Sequence, residues 1–168
     1  MAQGWQRPGG HQPRGRNYPI GDEGWREIGA FFETLAEKNP SLRPVVEIVR
    51  SIEGSDVSDH LVGATSMADL LVAERPADSP PIPVVVVSVA GSPRSSGAQT
   101  GHVVIAHLSS TGHDDQIERP SDEAVPLFWR FVREKFDKIE IRKQPLKRQS
   151  AAAEAQQTQE TAAATGWT

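Results

Sequence analysis

The chain contains no cysteine. Disulfide scaffolds, thiolate zinc sites and cysteine nucleophiles are therefore excluded. It also lacks any apolar run approaching the ~20 residues that a membrane-spanning helix needs. The opening stretch MAQGWQRPGGHQPRGRNYP has no apolar core, so a secretory leader is not expected and the expected compartment is the cytoplasm. Neither GxxxxGK[ST] nor GxGxxG occurs, which removes the common glycine-loop routes to phosphate binding. No internal repeat is found, and no cofactor is expected.

What is present is 168 residues with a mean hydropathy of −0.46, of a length that suits one domain. The apolar residues concentrate in the middle. Charge is uneven as well. Residues 1–20 carry +3, residues 138–149 carry +4 and residues 150–168 carry −2, so with −4 overall the intervening 21–137 carry −9. The ends are rich in Gly, Pro, Gln, Arg and Ala, and lack the apolar side chains that offset ordering entropy. The expected organisation is a disordered basic tail over 1–20, a single α+β domain over 21–137, and a basic then Ala/Gln-rich disordered tail over 138–168.

Periodicity supplies the elements. Trp25, Ile28, Phe32 and Leu35 lie on one helical face, which predicts a helix over 22–38 capped by Asp22 and stopped by Asn39-Pro40. Leu42, Val45, Val49 and Ile52 predict a second over 42–52, with Ser41 as cap and Gly54 as stop. The short connection makes the two an antiparallel hairpin. Strands are predicted over 68–74, where the rival is a helix capped by Thr65 or Ser66, over 83–90, over 101–110 and over 116–119. The run PVVVVSVA implies burial on both faces and a central place in the sheet. The stretch GSPRSSGAQT over 91–100 reads as an ordinary exposed loop. In the last strand pair, matching of aliphatic residues sets Leu108 against Ile117 and His107 against Glu118. A C-terminal helix starts near the cap Ser121, with Pro126 as a local conflict and Leu127, Phe128, Phe131 and Phe136 on its apolar face. The fold class is therefore α+β: an N-terminal helical hairpin, an antiparallel sheet of three to four strands, and a C-terminal helix packed on that sheet.

Two segments, HLVGATSMADLLVAE over 60–74 and IERPSDEAVPLFWRFVREKF over 117–136, resemble blocks found in small actinobacterial proteins that have no assigned activity. The resemblance spans roughly half of the chain and implies no reaction.

Candidate chemistry is thin. His107 beside Glu118 would make an imidazole–carboxylate pair, and Ser109, two residues along on the same face, would complete a Ser-His-Glu set. The bland alternative is an exposed polar pair. His113, Asp114 and Asp115 supply three donors at a turn, enough to hold a divalent cation or simply to build the turn. His102 and His107 are five residues apart on one strand, an odd spacing that puts them on opposite faces. His60 with Asp56 and Asp59 reads as a solvated loop. Arg7, Arg14 and Arg16, interleaved with aromatic residues, suit single-stranded nucleic acid, although the acidic middle opposes it. Trp129, Arg130 and Arg133 on the last helix are candidates for docking a protein, the rival being that Trp129 belongs to the core. The leading expectation is a non-catalytic protein-binding module with an unidentified protein partner and no membrane association. A weak nucleic-acid-associated protein using its basic tails, and a small hydrolase or metal enzyme centred on His107 and Glu118, are the alternatives.

Overall fold

The computed structural model describes residues 15–17, 19–21, 23–111 and 114–136. The helix α1 spans Trp25–Lys38 and α2 spans Arg43–Glu53. Five strands follow: β1 Leu61–Ser66, β2 Asp69–Glu74, β3 Val84–Val89, β4 His102–Leu108 and β5 Asp115–Pro120. The helix α3, Ala124–Lys135, closes the order. The class is α+β as expected, with five strands where three to four were predicted. The additional strand is β1, whose Gly63 and Ala64 are residues of low strand propensity. Among the described residues no helix is long and apolar enough to cross a membrane.

Local chemistry shapes each end. The α1 cap is Gly24, whose N–H donates to the Glu27 carboxylate at 3.4 Å; Asp22, the expected cap, lies outside the described residues. Asn39 rather than Ser41 caps the next turn, its Oδ1 accepting from the Ser41 N–H at 3.3 Å. Pro44 and Pro126 both fall in the first turn of their helices, where a missing N–H breaks no hydrogen bond. Ser121 does not cap α3. It sits in a 3₁₀ turn and donates its hydroxyl to the Gly101 carbonyl at 2.8 Å.

The sheet is an antiparallel meander, β1-β2-β3-β4-β5, so β3 is central as its uninterrupted burial requires. Alternation divides its side chains between two faces. Leu61, Leu70, Val72, Val85, Val87, Val103 and Ile105 join Ile28, Phe32, Val45, Val49, Ile52, Phe128 and Val132 in the larger core under the helices. Burying one such side chain contributes about 1.5–3 kcal/mol. The opposite face, with Val62, Ala64, Leu71, Ala73, Val84 and Val86, meets no helix among the described residues. It packs instead against Ile20, Ala77 and Ile82, contributed by two irregular segments that act as a strap. Arg16 forms a two-hydrogen-bond bridge with Ile82, at 2.8 and 2.9 Å, and the Gly15 N–H donates to the Ser109 carbonyl at 3.1 Å. The packed body thus reaches back to Gly15, inside the stretch expected to be tail.

The β4–β5 register is corrected. Ile105, not Leu108, faces Ile117, and His107 faces Asp115. The Ile105–Ile117 match is equally aliphatic and puts both residues toward α3, whereas Leu108 turns to the strap side. The loop over 91–100 is also not merely exposed, because Ser92 and Ser95 are buried within it.

The edge strand β1 is guarded by α1. Trp25 lies over Gly63, donates its indole N–H to the Ser58 carbonyl at 3.2 Å, and is preceded by a Glu23–Gly63 bridge. A Cβ on Gly63 would stand 2.6 Å from Trp25 Cζ3 and 2.7 Å from Ile28 Cδ1. We expect Gly63→Ala to destabilise the protein by about 1–3 kcal/mol through overpacking. Urea unfolding followed by tryptophan fluorescence checks this, and an unchanged midpoint would refute the close contact.

Candidate functional site

His107 stands at the end of β4 on the helix side of the sheet, 8% exposed, with neither ring nitrogen hydrogen-bonded. Glu118 is on the other face, opposite Val104. Its carboxylate accepts from the Gln99 N–H at 2.8 Å and so holds the β3–β4 loop. The hydroxyl of Ser109 is bonded to Thr111 at 3.1 Å. The Ser-His-Glu set is therefore not assembled, because a three-residue difference in register reverses the parity between His107 and Glu118. His102 and His107 do point to opposite faces.

Asp114 accepts from the Ser109 N–H at 2.9 Å, and Asp115 pairs with Lys135. His113 lies outside the described residues, as do Arg7 and Arg14. Among the described residues no three His, Asp or Glu side chains converge in a way that would hold a metal ion. On α3, Trp129 donates its indole N–H to Ser51 at 3.0 Å and packs edge-on to Phe128, which ties α3 to α2. Arg130 pairs with Glu134 at 3.2 Å, and Arg133 is exposed.

The polar groups that do converge are on the strap side. Asp69 opens β2 and is 2% exposed. The Ser92 hydroxyl donates to its Oδ1, and Arg94 Nε lies 3.4 Å from its Oδ2. Ser95 bonds back to the Val89 carbonyl, so the β3–β4 loop is folded onto the sheet to bring Arg94 there. From the opposite side the strap delivers Arg16, whose Nη1 is buried without a hydrogen-bond partner. Arg16 and Arg94 both line a pocket of about 300 Å³, with Leu71, Val84 and Leu108 as its aliphatic part and Thr65 and Ser66 at its border. No local motif announces it, since its residues come from the strap, the β1–β2 hairpin and the β3–β4 loop. The only foreshadowing is the short SPRSS stretch, which has the composition of an ordinary loop. Met67 at the hairpin tip has φ 58° and is 75% exposed, a conformation that costs a non-glycine residue some energy.

No protein-family model, curated protein or solved structure matches this chain.

The pKa of His107 is lowered from its ordinary 6.5, first by burial and then by the Lys135 ammonium, while Asp115 and Asp114 act in the opposite sense. The unfolded chain therefore takes up a proton at a pH where the folded imidazole is still neutral. This contribution to stability is complete above 6.5 and is lost as pH falls toward the folded value. We expect the wild type to lose more unfolding free energy than His107→Phe between about pH 7.5 and about pH 5.5. Urea titrations of both proteins at the two pH values check it; equal losses would count against a buried neutral imidazole.

Proposed function

We propose that the protein is a non-catalytic binding module that takes a small ligand in the pocket between the strap and the sheet. The observation that carries this reading is the asymmetry of the sheet. Three helices seal one face, whereas the strap covers the other incompletely and leaves a cavity of about 300 Å³ with an aliphatic floor and polar walls. That is near the lower end of the ~300–1,000 Å³ range of ligand sites. The polar groups first considered for catalysis favour the same reading by their occupations. Glu118 and Ser109 are held in loop contacts, and His107 faces α3 with no hydroxyl in reach of its ring nitrogens. The indole N–H of Trp129 is engaged by Ser51, which favours the strap side over α3 as the binding surface.

Leu108 is partly exposed at the pocket floor, so a larger side chain there fills the cavity without entering the helix-covered core. We expect Leu108→Trp to remain folded and to lose the ligands that wild type binds in a small-molecule library screened by ligand-observed NMR. Hits retained equally by the variant, or no hits to wild type, would overturn the reading.

A further inference from the structure

We infer that the pocket is an oxyanion site, in which Arg16 and Arg94 grip the carboxylate or phosphate of a small ligand whose apolar body rests on Leu71, Val84 and Leu108. This rests on the preceding reading that the pocket takes a ligand at all. Three observations converge on the anion. The first is Arg16, which lines the pocket and whose Nη1 is buried without a hydrogen-bond partner. A guanidinium has five donors and no acceptor, so only an acceptor satisfies it, and a buried donor left unpaired is costly.

The second is that Arg16 is held in place before any ligand arrives. Its N–H and carbonyl are both bonded to Ile82. The preceding Gly15 approaches the Ile82 carbonyl so closely that a Cβ would stand 2.8 Å from its oxygen. These contacts fix the main chain of Arg16 at the pocket edge, and the planar fork of its guanidinium matches carboxylate and phosphate oxygens two at a time.

The third is the charge balance. Asp69 offsets one of the two guanidinium groups from behind Arg94, through the 3.4 Å contact at Nε. Among the described residues, two guanidinium groups against one carboxylate leave the site short of one negative charge. The stretch leading into Arg16, residues 1–14, has no Asp or Glu to supply it. The aliphatic floor adds the requirement for an apolar body, so the fitting ligand is a small amphiphilic anion.

The test titrates full-length protein labelled with ¹⁵N with benzoate, phenyl phosphate, the uncharged isostere benzamide, acetate and inorganic phosphate. The readouts are the Arg16 Nε–H resonance and the dissociation constants. We expect benzoate, phenyl phosphate or both to shift the Arg16 resonance to saturation, the stronger of the two identifying the oxyanion. Benzamide, lacking the charge, and acetate and inorganic phosphate, lacking the apolar body, should each bind at least about tenfold more weakly. Arg16→Gln should weaken the preferred anion by about tenfold or more, and Arg130→Gln, on the far side of the sheet, should leave it unchanged. A thermal melt of each variant without ligand establishes that it is folded. Ser66→Glu gives an independent arm, because a carboxylate supplied from the pocket wall should block anion binding in a folded protein.

Benzamide binding as tightly as benzoate, or a folded Arg16→Gln binding like wild type, would overturn the anion assignment. So would a folded Ser66→Glu with unaltered affinity. Neutral ligands that bind wild type and are lost in Leu108→Trp would leave the pocket reading standing while the anion assignment falls. The absence of any ligand would remove both.

Discussion

The structure depends on the two-sided burial of β3. Every residue of Val84–Val89 is buried, and alternation sends its side chains to opposite faces. A strand of that kind needs cover above and below. The helices α1, α2 and α3 supply it on one face, with Ile28, Phe32, Val45, Val49, Ile52, Phe128 and Val132 meeting Val85, Val87 and Val89. Among the described residues no regular element remains for the other face. The chain covers it with residues just before α1 and just before β3, pinned to each other by the Arg16–Ile82 bridge.

That solution has a chemical consequence. An irregular strap carries backbone polar groups and long side chains where a helix would carry an apolar stripe, so the second face is not sealed. Arg16 and Arg94 arrive over an aliphatic floor, and Asp69 is buried beneath Arg94. A buried carboxylate is tolerable only when it is paired and hydrogen-bonded, and Ser92 and Arg94 meet that requirement. Arg16 has no equivalent at its Nη1. The difference between these two charged groups, one satisfied within the chain and one not, separates a structural ion pair from a site that a ligand completes.

The helix side follows the opposite logic. Trp129 and Ser51 join α3 to α2, and Trp25 closes the edge of β1. Aromatic side chains that look like docking anchors in a linear reading serve there as joints between elements. Their polar tips find partners inside the fold, as buried indole N–H groups ordinarily do. His107 shares this environment, where burial first and the Lys135 ammonium second lower its affinity for a proton.

Much of the fold was legible in the residues. The spacing of Trp25, Ile28, Phe32 and Leu35 marked α1, the apolar run at 84–87 marked a central strand, and the aromatic face of 127–136 marked a helix on the sheet. Such patterns are properties of neighbouring residues and survive any tertiary arrangement. The pairing of β4 with β5 was not legible, because Ile117 finds an aliphatic partner in either Leu108 or Ile105, and only the position of α3 decides which face must be apolar. The candidate site was not legible either. Arg16 looked like part of a basic tail and Arg94 like part of an open loop, and nothing in their own segments foretells Asp69 or the Ile82 backbone. The sequence by itself determined most of the elements that form, β1 excepted, and that β3 is buried on both faces, because periodicity and propensity act over a few residues. Only the tertiary structure decided what covers the second face and which charges meet there, because those contacts join segments that the chain brings together only when the sheet closes.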